Sequence, residues 1–155
     1  AVGSPSMTTK DGKRTDLYTP VKAVNAELKN LDEAYLDFSW VGAMPVKGSE
    51  VQGEVKQIEM CGLSLDKIDA ISELSCTQNT LIGAFKNGEG RDGFLISNFS
   101  DPSLLKKDVV SLRFNGADSA LVYHGQTKEV VELSSSNFEI TLDEGDGIFV
   151  IPFKK

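Results

Sequence analysis

The sequence predicts an all-β fold, an antiparallel β-sandwich preceded by one N-terminal α-helix, on three observations. Residues 137–142, Asn-Phe-Glu-Ile-Thr-Leu, alternate polar and apolar without a break, the period-two signature of a half-buried strand. Residues 108–114 do nearly the same and place Val110, Leu112 and Phe114 on one face. From Arg91 to Phe153 such stretches recur between tight turns and close on the apolar run Gly147-Ile148-Phe149-Val150-Ile151-Pro152-Phe153. Turns spaced this regularly favour an antiparallel sandwich or barrel over a βαβ fold.

Taken in order, residues 1–14 read as a flexible lead-in of Ser, Thr, Gly and Lys. Residues 15–33 read as an amphipathic helix, because Leu17, Val21, Val24, Leu28 and Leu31 recur at three- and four-residue spacing and form one stripe. Thr15 or Asp16 can cap it, Pro20 falls near the first turn where its missing N–H does no harm, and Asn30 and Asp32 help to end it. The remaining residues, 34–155, form the sandwich domain. Over 34–40 the period changes to two, with Ala34, Leu36, Phe38 and Trp40 facing one way and Tyr35, Asp37 and Ser39 the other.

A turn at Gly48-Ser49-Glu50 leads to an expected strand over 55–60. Residues 66–74 fit either one or two helical turns, through Ile68, Ile71 and Leu74, or an ordered loop. Residues 75–85 read as one strand in which Gly83 marks a bulge or a close backbone approach. Residues 86–93 carry turn chemistry throughout and join that strand to the next, 94–99, as a hairpin. Further strands fall at 109–114, 120–123, 128–133, 138–142 and 148–153. Between them lie turns at Asn115-Gly116, His124-Gly125, Ser134-Ser135-Ser136 and Glu144-Gly145-Asp146-Gly147.

The chain's 155 residues suit a single domain with a sizeable core. A net charge of −7 with scattered basic residues excludes a nucleic-acid partner, which would need clustered Lys and Arg. A membrane partner is not expected either, because no apolar run approaches the ~20 residues of a membrane-spanning helix. Two cysteines, Cys61 and Cys76, suit a disulfide or two free thiols, and with one His they do not complete the usual four-ligand zinc site. No cofactor signature is present: Gly88-Glu89-Gly90-Arg91-Asp92-Gly93 joins two strands and opens no helix.

Glycoside hydrolysis needs two carboxyl groups set across a sugar. The acidic residues here lie in turns (Glu89, Asp92, Asp143, Glu144, Asp146) or on a strand's polar face (Glu139), where solvation explains them. His124, the only histidine, sits in a tight turn and reads as a turn residue rather than a general base. Asp143-Glu144-Gly145-Asp146 is better explained as a β-turn than as a calcium loop. Asn98-Phe99-Ser100 fits a glycosylation sequon, yet Asn98 or Asp101 holding the turn that ends at Pro102 is the preferred reading. Sugar-binding modules stack aromatic rings on pyranoses, so Trp40, Tyr123 and His124 are the candidate carbohydrate-binding residues. Trp40 falls on the apolar face of its strand and reads as core, whereas Tyr123, at a strand end, reads as the more exposed ring.

Two stretches resemble a known family. Asp11-Gly12-Lys13-Arg14-Thr15-Asp16-Leu17-Tyr18, followed by Val21-Lys22-Ala23-Val24-Asn25-Ala26-Glu27-Leu28, resembles the last helix of the catalytic barrel in β-galactosidase-like glycoside hydrolases, family forty-two and its relatives. Leu81-Ile82-Gly83-Ala84-Phe85, then Phe94-Leu95-Ile96-Ser97-Asn98-Phe99-Ser100-Asp101-Pro102, resembles the C-terminal β-sandwich that many bacterial glycoside hydrolases carry. So do Ala120-Leu121-Val122-Tyr123 and Glu144-Gly145-Asp146-Gly147-Ile148-Phe149-Val150. The order of the two stretches implies a closing barrel helix followed by an accessory domain. The resemblance therefore implies a non-catalytic module that packs against the parent's catalytic barrel, with carbohydrate a further candidate partner. The family's catalytic glutamates stand on barrel strands that have no counterpart here, so no catalytic residue carries over. The rival expectation is a free-standing carbohydrate-binding module or surface interaction domain.

Overall fold

A computed structural model describes residues 6–52 and 64–155. The expected strand over 55–60 and Cys61 lie outside the described residues. Among those described, one helix, α1 (Tyr18–Tyr35), precedes nine strands: β1 (Phe38–Val46), β2 (Ile71–Cys76), β3 (Thr80–Asn87), β4 (Asp92–Asn98), β5 (Asp108–Phe114), β6 (Ser119–His124), β7 (Thr127–Glu132), β8 (Asn137–Leu142) and β9 (Gly147–Phe153). They form a six-stranded sheet, order β1-β3-β4-β9-β6-β7, and a three-stranded sheet, order β2-β5-β8, with every pair antiparallel. The chain is an antiparallel β-sandwich with a single helix.

The expected alternation sets the smaller sheet. Val110 pairs with Ile140 and Leu112 with Phe138, so both strands turn the same side chains inward. Val110, Leu112, Phe114, Phe138 and Leu142 are buried and Ile140 packs against them, while Glu139 and Thr141 face water. The larger sheet answers with Ile82, Ala84, Phe94, Ile96, Ala120, Val122, Ile148 and Val150, which complete one core between the sheets. Phe94 of one sheet stacks on Phe114 of the other, with ring centroids 5.7 Å apart.

Where one strand was expected over 75–85, the chain breaks into β2 and β3, which belong to different sheets. The cause is Asp108, fully buried at the start of β5. Its Oδ1 accepts from the backbone N–H groups of Thr77 (3.1 Å) and Gln78 (2.8 Å) and from the Thr77 hydroxyl (3.2 Å). Its Oδ2 accepts from the Thr80 hydroxyl at 2.5 Å. A buried carboxylate is tolerable only when so satisfied. Here it supplies the crossover with the partners that a continuing strand would have found in a sheet. Upstream, residues 66–70 are irregular rather than helical, and β2 starts at Ile71. Cys76, at the end of β2, is a free, buried thiol whose pKa burial pushes up.

The helix runs two residues past its expected end, so the following strand begins at Phe38 rather than at 34. Leu17 is its N-cap and offers no side-chain cap. Neither Thr15 nor Asp16, the two expected caps, takes that place, and the Thr15 hydroxyl donates to Ser6 O at 2.5 Å. Residues 6–14 form a tight turn closed by a bridge between Thr8 and Arg14.

The last turns of α1 dock on the outer face of the six-stranded sheet. Ala34 packs with Phe85, Tyr123 and Phe149, joined by Leu31, Phe38, Leu121 and Ile151. Asn30 Nδ2 donates to Thr127 O (2.7 Å) and Gly125 O (3.2 Å), tying the helix to the β6–β7 turn. Gly93 makes room beneath this layer. A Cβ there would stand 2.7 Å from the Phe149 ring and 2.8 Å from that of Phe38.

Candidate functional site: an apolar groove beside the helix

The structure separates the three residues singled out as candidate sugar contacts. Trp40 is 45% exposed, against its expected place in the core. Of the residues expected to alternate over 34–40, Ala34 and Tyr35 are helical, and Leu36, expected on the apolar face, is 84% exposed. The alternation holds only from Phe38, where Phe38 and Trp40 share a face. That face is the outer one of the larger sheet, and the helix that covers Phe38 leaves Trp40 uncovered. Tyr123, expected to be the more exposed ring, is only 4% exposed. It lies under α1 in edge contact with Phe149, with Lys128 Nζ 5.2 Å from its ring centroid. His124 ends β6 half-buried, its Nε2 2.7 Å from Asp146 Oδ2, so it ties β6 to the turn before β9. Neither Tyr123 nor His124 is among the described residues that line the groove at Trp40.

Trp40 instead lines a groove of about 300 Å³ with Tyr35, Ala43, Leu81, Gly83, Phe85, Leu95 and Ser97. The backbone sets its shape. A β-bulge at Val41 shifts the β1–β3 register between Trp40 and Gly42, and Trp40 Nε1 donates to Gly42 O at 3.0 Å, which fixes the indole plane. Ala43 and Gly83, paired across β1 and β3, form a floor without bulk. This is the role of the strand glycine that the sequence marks as a close approach. Tyr35, the last residue of α1, forms one wall and meets Phe85 edge-on at 5.8 Å.

The same wall continues along the helix. Tyr35 belongs by spacing to the stripe of Leu17, Val24 and Leu28. That stripe is not covered by the sheet: Val24 is 52% and Leu28 59% exposed, and Leu17 is also exposed. Sequence reasoning found the stripe and Trp40 but not Tyr35, Leu81 or Leu95 as members of one surface. Leu81 and Leu95 sit on strands whose other face is core, and nothing in their local sequence marks them as sharing a surface with Trp40.

The groove has little chemistry. Among the described residues no charged side chain lines it, and the Ser97 hydroxyl donates to Leu81 O at 3.4 Å. Four of the six carboxylates singled out in the sequence have partners elsewhere: Glu89 with Arg91, Asp92 with Lys86, Asp143 with Lys107 and Asp146 with His124. The turn over 143–146 closes with Asp146 N donating to Asp143 O. Among the described residues no group of three or more His, Cys, Asp or Glu is arranged to hold a metal ion, and no helix is long and apolar enough to cross a membrane. What the arrangement offers is a rigid, apolar, aromatic-walled surface.

The fold defines the class, a two-sheet antiparallel β-sandwich carrying a helix on its outer face. Compared with known protein families, curated proteins and solved structures, the chain finds no match.

Proposed function

We propose that this chain is a non-catalytic accessory module of a bacterial carbohydrate-active enzyme and that it seats against the parent's catalytic barrel. The observation that carries the reading is the uncovered apolar flank of α1, continuous through Tyr35 with the Trp40 groove. Leu17, Val24, Leu28, Tyr35 and Trp40 in one tract form the kind of patch that marks an interaction surface rather than scattered surface residues. The resemblance of this helix to the closing helix of β-galactosidase-like barrels names the partner. Sugar capture by the groove fits less well, because a bound pyranose would find rings to stack on but few groups to pair with its hydroxyls.

Trp40 is the only tryptophan, so its emission reports directly on the groove. The test is titration of the purified chain with β-galactosidase-like barrels of the source organism, produced without their own C-terminal sandwich. The reading expects a saturable blue shift of Trp40 emission with at least one barrel, and no turnover of chromogenic glycosides by the chain alone. No response to any barrel, or turnover abolished by a single Asp or Glu substitution, contradicts it.

A further inference from the structure

A second surface has a chemistry unlike that of the groove. At the end of the sandwich where β3 starts and β4 stops, a cleft of about 530 Å³ opens between residues 50–52, the Gln78-Asn79 crossover and the corner over 99–106. Among the described residues it shares no lining residue with the groove. Its polar side chains are fixed in place before any ligand arrives. Gln78, 3% exposed, donates from Nε2 to Glu50 Oε2 at 2.9 Å. Asn79 accepts from Gly48 N through Oδ1 and from Phe99 N through its carbonyl (2.7 Å). Asn98 holds the corner from below. Its Nδ2 donates to Lys106 O (2.9 Å) and Asp143 O (3.0 Å), and its Oδ1 accepts from Ser100 N (3.1 Å).

Within this rigid frame two groups have no internal use. The ring of Phe99 is 45% exposed although its backbone is locked. The hydroxyl of Ser100 is buried and has no hydrogen-bond partner among the described residues. An orphaned buried hydroxyl is uncommon in a settled fold and calls for a partner.

We propose that this cleft binds a neutral sugar, one pyranose ring lying with its C–H face on Phe99 and its hydroxyls toward the Glu50–Gln78 pair and Ser100. A sugar hydroxyl both donates and accepts. It therefore matches a carboxylate, an amide and a hydroxyl set beside an apolar ring. Among the described lining residues Glu50 and Asp101 outnumber the one cation, Lys106, and on a chain of net charge −7 this disfavours an acidic ligand. An apolar peptide face would desolvate the Glu50 carboxylate with Gln78 as its one side-chain donor and leave the Ser100 hydroxyl unpaired. The site goes beyond the docking reading and does not rest on it, since a ligand here leaves the Trp40 surface free.

The test is a two-dimensional NMR titration of the whole chain with methyl β-galactopyranoside, methyl β-glucopyranoside, xylose and mannose, one at a time. Saturable shifts of the Ser100 amide, the Gln78 side-chain amide and the Phe99 ring with at least one sugar, with the Trp40 indole signal unmoved, are expected. Phe99→Ala should weaken that binding roughly tenfold or more, as expected for loss of a stacked ring and its buried area. Glu50→Gln, which keeps the shape of the site, provides a second check and should weaken binding severalfold by removing a charged acceptor. The proposal fails if none of the four sugars gives saturable shifts, if the shifts centre on Trp40, or if both variants bind as the parent does.

Discussion

Replacing Asp108 by Ala tests the carboxylate that divides β2 from β3. Four donors converge on this side chain. Thr77 N keeps a second acceptor, Val109 O at 3.2 Å, and the Thr77 hydroxyl still accepts from Val109 N at 2.9 Å. Gln78 N and the Thr80 hydroxyl lose their principal acceptor in a region that is 3% and 1% exposed. At about 1–3 kcal/mol for each of these two buried donors left without its partner, the change should cost about 2–6 kcal/mol. That is a large share of the ~5–15 kcal/mol typical of a domain. Asp108→Asn retains one acceptor oxygen and should cost less, about 1–2 kcal/mol. The assay is urea unfolding followed by far-UV circular dichroism, comparing midpoints at unchanged slope. A loss below ~1 kcal/mol for Asp108→Ala would show that the crossover is held by something other than this carboxylate.

Other expectations follow from packing and charge. Phe138→Ala, which opens a void beside Leu112 and Phe114, should lose about 2–5 kcal/mol in the same urea assay. Gly93→Ala should destabilise by about 1–3 kcal/mol, because the new Cβ collides with two rings wedged under α1, and thermal melting would register it as a lower midpoint. Asp101, Asp118 and Glu132 are held below their ordinary pKa. The respective chief causes are the hydrogen bonds from Ser103, from the Lys155 backbone N–H and from the Lys155 side chain. A depressed folded-state pKa gives stability that is complete above the ordinary carboxylate range and lost as pH falls through the lowered value. The urea midpoint should therefore decline below about pH 4, and Glu132→Gln should flatten part of that decline.

The sequence made the smaller sheet legible because its signal is local. Residues 108–114 and 137–142 alternate cleanly, and their faces pair as the alternation requires. The division of residues 75–85 was not legible, because its cause is a side chain 28 residues downstream of Thr80. Alternation correctly put Trp40 with Phe38 but could not say which sheet face they occupy. On this chain that depends on where α1 stops. Tyr123 shows the converse, a strand-end ring buried because the helix happens to cross it. The groove emerged only when a helix end, a bulge and two small strand residues were brought together in space. Trp40 and Gly83 were the two sequence marks that fell within it.

Hydrogen exchange along Tyr18–Tyr35, with and without a catalytic barrel, tests the docking account most directly. In the chain alone the amides of residues 30–35, seated on the sheet through Asn30, Leu31 and Ala34, should exchange slowly, and those of residues 21–28 faster. Adding the barrel should slow residues 21–28 to match, at every concentration of the chain. If the barrel leaves them unchanged, or if protection rises with the concentration of the chain alone, the apolar flank serves another purpose and the docking account is wrong.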